Sequence, residues 1–143
     1  MSDKQRYSWI TATALASILS ASAYANEPPS LLQIMQQLGR DLNQISDGML
    51  SEDYAAIAKA AQAIAEHPQP PVAERTKIIG GLGADAGRFR QGDQAVHDAA
   101  LAVKDAAATA DNAQILQSYM GLVQGCMDCH NTFRARVRAL SAE

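Results

Sequence analysis

The chain holds only two cysteines, Cys126 and Cys129, and His130 follows the second directly. These three side chains can act together only if the backbone turns them to one side. A helix does so, because residues three and four apart share a face. Cys126-Met127-Asp128-Cys129-His130 is therefore read as a helical segment presenting two thiols and an imidazole together. C-x-x-C-H is the attachment signature of c-type haem. Each thiol can add to one vinyl group, giving two thioether bonds, and the imidazole below the ring can donate a nitrogen to iron as proximal ligand.

Three other uses of such a motif compete. A disulfide of this spacing closes a very short loop and gives His130 no role. A thioredoxin-like redox pair needs a neighbouring βαβ pattern, and the sequence offers no convincing strand. A zinc site needs two further ligands, and only His67 and His97 remain to join His130. Haem is the reading that uses all three residues.

The N-terminus points to export. Lys4 and Arg6 form a charged start, Trp9 to Leu19 is mostly apolar or small, and Ala23-Tyr24-Ala25 has the small-x-small form of a cleavage site. The apolar run is shorter than the roughly 20 residues of a membrane span. Residues 1–25 are thus expected to be a cleaved secretory signal and 26–143 the domain, with no membrane insertion after cleavage. Of 12 basic and 15 acidic side chains, removal of Lys4, Arg6 and Asp3 leaves 10 and 14, a net charge of −4. Nucleic acid and anionic membrane surfaces are poor partners for such a domain. Aromatic residues are scarce, at 5%. A flat apolar cofactor would supply buried surface that the side chains lack.

Apolar periodicity predicts helices throughout. Ser30 caps a first helix whose stripe is Leu31, Ile34, Met35, Leu38, Leu42, Ile45 and Met49, ending at Asp47-Gly48. Ser51-Glu52-Asp53 caps a second, with Tyr54, Ile57, Ala58, Ala61, Ile64 and Ala65 inward, stopped by proline after His67. Five glycines interrupt the next stretch. It is read as a short helix over Val72 to Ile79, a turn, and a third long helix clearest from Asp93 to Thr109. Asp111 caps the last helix, whose face carries Ile115, Tyr119, Leu122, Cys126, His130, Phe133 and Val137. Arg134, Arg136 and Arg138 fall in its final turns, where cations suit the helix dipole. The fold class is all-α: an antiparallel four-helix bundle with haem bound near the C-terminal helix.

A haem motif on the last of four helices resembles the class II c-type cytochromes, the cytochrome c′ family. The match is sharpest in Cys126-Met127-Asp128-Cys129-His130-Asn131-Thr132-Phe133-Arg134, where C-x-x-C-H is followed by two residues, an aromatic and an arginine. It extends to Ile34-Met35-Gln36-Gln37-Leu38-Gly39-Arg40-Asp41-Leu42, which is similar to the family segment crossing the distal haem face. The resemblance implies one covalent haem c held by Cys126 and Cys129, with His130 as proximal and Met35 as distal iron ligand. It also implies that Arg134, Phe133, Tyr119 and Leu38 form the haem environment. Many members carry a basic residue one turn before the distal position; here it is Leu31, and Arg40 is the candidate replacement.

What the resemblance implies for function is a periplasmic carrier of single electrons, not an enzyme, serving redox proteins of the periplasm. Class II relatives often pair through their first two helices, so a homodimer is also compatible. The alternative is a five-coordinate cytochrome c′-like protein that binds NO or CO, with Met35 merely crowding the iron. A peroxidase would want polar acid/base groups on the distal face, which the first-helix stripe does not offer. Met35, set among leucines and isoleucines, also has an ordinary reading as core packing. His97 could be a surface residue, a haem-edge hydrogen bonder or an alternative sixth ligand, and His67 a helix-end residue.

Overall fold

The computed structural model describes residues 27–142, so the expected signal segment and its cleavage site lie outside the described residues. Five α-helices follow one another: α1 (Leu31–Ser51), α2 (Tyr54–Ala65), α3 (Val72–Leu82), α4 (Ala86–Ala107) and α5 (Asn112–Ala142). A single 3₁₀ turn, Gly83–Asp85, joins α3 to α4. No strand occurs among the described residues. The expected helical bundle is present, its long members being α1, α2, α4 and α5. Packing runs α1 on α2, α2 on α4 and α4 on α5, while α3 lies along α5 and α1 touches α5 more lightly.

The helix starts follow the expected capping chemistry. Ser30 Oγ accepts the Gln33 N–H at 3.3 Å while Gln33 Oε1 accepts the Ser30 N–H at 2.8 Å, a reciprocal capping box. Asp53 alone caps α2, its Oδ1 accepting the Ala56 N–H at 2.9 Å. Asp111 Oδ1 accepts the N–H groups of Ala113 and Gln114 at 2.9 and 3.1 Å.

The ends differ from expectation, and glycine is the usual reason. Helix α1 does not stop at Asp47-Gly48 but runs on to Ser51, with Glu52 in the left-handed conformation at φ 56°. Gly48 is buried because α2 crosses there: a Cβ on it would lie 2.7 Å from Ile57 Cγ1. Helix α2 ends at Ala65, two residues before His67. Helix α4 starts at Ala86 rather than near Asp93, with Gly87 and Gly92 inside it. Among the described glycines only Gly83 takes a positive φ, at 55°. Within the glycine-rich stretch Gly81 admits Leu140, on which a Cβ would clash, whereas a Cβ on Gly92 would make only ordinary contact with Cys129. Helix α5 continues past the three arginines, so they do not occupy its last turn.

Two apolar clusters hold the bundle. The larger joins Ile45, Ile57, Ile64, Val103, Ile115 and Leu122 with the buried alanines 60, 61, 65, 100, 106 and 107. Burying an isoleucine such as Ile57, which is 0% exposed, contributes about 1.5–3 kcal/mol. The smaller joins Ile78, Leu82, Ala86, Phe133 and Val137 around the lower half of α5. Phe89 and Phe133 meet edge to face in it, with centroids 5.5 Å apart.

Candidate functional site

The cysteine-histidine motif lies where the two clusters meet. Cys126 packs against the larger one, alongside Leu38, Leu42, Val96 and Tyr119. Cys129 packs against the smaller one, with Leu31, Phe89 and Leu140. Both thiols are half-buried and unbonded to each other. Helix α4 comes close here: a Cβ on Gly92 would touch Cys129 Sγ at 3.6 Å, and one on Gly125 would touch Val96 at 3.5 Å. Both are ordinary contact distances, so α4 and α5 pack normally around the motif.

Burial keeps both thiols protonated. It pushes the Cys126 thiol above its ordinary value, opposed weakly by its own backbone. Burial likewise raises Cys129, helped by the negative charge of Asp93 and then by Cys126. Neither has the electropositive surroundings of a thiolate nucleophile.

His130 departs from the expected stripe. At 100° per residue it lies 40° beyond Cys126 while Cys129 lies 60° to the other side. The inward face is centred on Ile115, Leu122 and Phe133, so His130 falls at its edge and is exposed. Among the described residues none bonds its ring, and no cluster of three or more His, Cys, Asp and Glu could hold a metal ion. Arg134 is exposed, Phe133 is buried in the smaller cluster, and Tyr119 and Leu38 are half-buried on the larger. Met35 is half-buried in α1 and belongs to neither cluster. It stands one turn from Leu31, which packs on the smaller cluster as Cys129 does, and nearly one turn from Leu38, which packs on the larger cluster as Cys126 does.

The other two histidines have structural work. His97 Nδ1 lies 2.9 Å from the Ala65 carbonyl, so it donates its proton to an otherwise open end of α2. The bond commits Nδ1 alone and leaves the haem-edge and sixth-ligand readings of His97, which would use Nε2, untouched. His67 reaches from the end of α2 to Asp93 on α4. Sequence reading missed Arg136, which donates to Asp85 Oδ2 at 2.6 Å and to the Leu82 carbonyl at 3.1 Å.

An open groove of about 680 Å³ lies elsewhere, between α1 and the end of α2. Its walls include Gln33, Gln37, Glu66 and His67, and its floor includes Asp41, the one buried charged residue among those described. Gln37 donates to Asp41 Oδ1 at 2.8 Å. Ile34, Leu38, Ala63 and Pro68 supply its apolar lining, so Leu38 borders both this groove and the larger cluster. At the motif the donors fit haem chemically: two neutral thiols on one helical face, each packed on an apolar cluster, and an imidazole with no bonded partner among the described residues. No family model matches the chain, and neither a curated protein nor a solved structure matches it significantly.

Proposed function

We propose that this chain is an exported c-type cytochrome of the class II kind, carrying single electrons between redox proteins of the periplasm. The observation that supports it most is the helical Cys126-x-x-Cys129-His130 turn, with both sulfurs free, half-buried and flanked by apolar side chains. In this reading Cys126 and Cys129 hold the haem covalently and His130 is the proximal iron ligand. Met35 would be the sixth ligand, carried on α1 between Leu31 and Leu38, which pack on the same two clusters as the cysteines. When bound, haem supplies a one-electron iron couple. The soft thioether of Met35 favours the ferrous state and so raises the potential. Leu38, Tyr119 and Phe133 exclude water from the motif, and Arg134 offers a fixed positive charge one turn beyond the imidazole.

Carbon monoxide separates this carrier from a gas-binding protein. With Met35 as ligand, the reduced wild type changes its spectrum slowly and Met35→Ala changes rapidly. A rapid change in the wild type, unaltered in Met35→Ala, rejects Met35 as a ligand and favours the five-coordinate alternative.

A further inference from the structure

The net charge of −4 conceals an uneven placement of charge. Val72 to Asp93 and Cys129 to Ala142 together hold seven basic and three acidic residues, a net +4. These two stretches form one end of the bundle, where Arg136 meets Asp85, Phe89 meets Phe133 and Gly81 lies against Leu140. The other described residues hold three basic and ten acidic, a net −7. All three acids of the basic end are engaged within the fold. Asp85 takes Arg88 and Arg136, Asp93 takes His67, and Glu74 accepts the Leu31 N–H at 3.1 Å.

Beside the motif the surplus forms a row. His130, Arg134 and Arg138 stand four residues apart, so they span about 80° of α5, and all three are exposed. Among the described residues neither of these arginines has an ion-pair partner. Asp128, the nearest acid in sequence, lies about 160° round the helix from His130 and accepts from Gln124 at 2.7 Å.

We propose that this arginine row, with the basic end around it, is the docking face for an acidic surface of a redox partner protein. The proposal rests on the electron-carrier reading and adds the chemistry of the partner. Charge complementarity selects the occupant. Six of the seven basic residues are arginine, whose planar guanidinium pairs with a carboxylate through two parallel hydrogen bonds. A compact acidic patch can cover the +4 end alone. An extended polyanion, such as a DNA duplex or an anionic membrane plane, would also meet the −7 remainder and be repelled by it. The same asymmetry orients the encounter. A partner drawn to the basic end arrives with Cys126, Cys129 and His130 close to its own surface, which raises the share of productive collisions.

Two measurements on the mature exported protein test the assignment. In the first, a fluorescein-labelled glutamate-rich peptide is titrated with protein at low salt. The wild type is expected to bind it, and to release it as salt rises. Arg138→Glu should weaken binding at least about threefold. Lys59→Glu, the same charge change at an exposed position on α2, should leave it unaltered. In the second, ferricyanide takes one electron from the ferrous haem protein and becomes ferrocyanide. A net charge of −4 acting alone makes this rate rise with salt, because screening relieves repulsion of the anion. The basic face makes it fall with salt, and makes Arg138→Glu slower than Lys59→Glu. A rate that rises with salt, equal effects of the two variants, or tighter binding of duplex DNA or phosphatidylglycerol vesicles than of the peptide each overturns the proposal. A colourless protein that still binds the peptide contradicts the carrier reading alone. A coloured protein that ignores the peptide contradicts the docking face alone.

Discussion

His67, in the break between α2 and α3, meets Asp93 of α4, with the imidazole Nε2 lying 3.4 Å from the carboxylate Oδ1. The other ring nitrogen, Nδ1, faces the Pro68 carbonyl at 3.0 Å. Both neighbours are acceptors, so the ring fits best with a proton on each nitrogen. One turn along α4, His97 holds the Ala65 carbonyl. Successive turns of α4 thus pin the end of α2 and the start of the proline segment.

The Asp93 hydrogen bond raises the His67 pKa above 6.5, with burial opposing and the Pro68 carbonyl and Asp93 charge assisting. A raised folded value means the stabilisation is complete below 6.5 and is lost as pH rises through the folded pKa. Asp93 is 60% exposed, which limits the effect to about 1 kcal/mol or less. Denaturant unfolding should therefore show Asp93→Asn costing stability at about pH 5.5 and almost nothing at about pH 8.5. An equal cost at both values contradicts the pairing.

Arg136 beside Asp85 holds that carboxyl below its ordinary 3.8, the hydrogen bond contributing first and its charge, with that of Arg88, adding to it. A lowered value gives stabilisation that is present above 3.8 and lost as pH falls through the folded pKa. Acid titration of Arg136→Met should lose this component while its neutral-pH helicity persists. An acid limb identical to the wild type contradicts the contact.

Gly48 and Gly39 make a matched pair on α1. Replacing helical glycine by alanine ordinarily gains about 0.5–1 kcal/mol. At Gly39 a Cβ meets nothing within 4 Å, so Gly39→Ala should show that gain. At Gly48 the Cβ would press on Ile57 Cγ1 at 2.7 Å and on the Asp53 carbonyl at 3.2 Å. Overpacking costs about 1–3 kcal/mol, which exceeds the propensity gain, so Gly48→Ala should lower the unfolding midpoint. Equal midpoints for the two variants contradict the α1–α2 crossing.

In haem-free protein at neutral pH, both thiols should alkylate more slowly than in denaturant, because burial raises their pKa values. Asp93 contributes to Cys129 but is not among the causes at Cys126. Asp93→Asn should accelerate Cys129 selectively, as read by mass-resolved alkylation. Equal acceleration of both cysteines points instead to general loosening of the motif.

The parts legible in the sequence are those that local chemistry decides. Ser30, Asp53 and Asp111 announce their helices because a cap needs only a side chain and the next turn. The stripes of α1, α2 and α5 follow because burial repeats with the helical period. Gly48 and Gly81 mark the close approach of another helix, at Ile57 and Leu140, rather than a break, and a glycine's local pattern is the same in both cases. His97 to Ala65 and Arg136 to Asp85 join residues 32 and 51 positions apart, a separation no local pattern encodes. His130 was drawn into the apolar stripe by its three-residue spacing, although the helix leaves it at the edge.

The central claim is a haem joined covalently to Cys126 and Cys129. The mature chain, exported from cells that carry haem-attachment machinery, tests it by a visible spectrum taken oxidised, reduced and after denaturation. The expected result is a coloured protein whose haem stays with the polypeptide in denaturant and is lost in the Cys126→Ala/Cys129→Ala variant. A colourless wild type, with both sulfurs free or joined to each other, contradicts it.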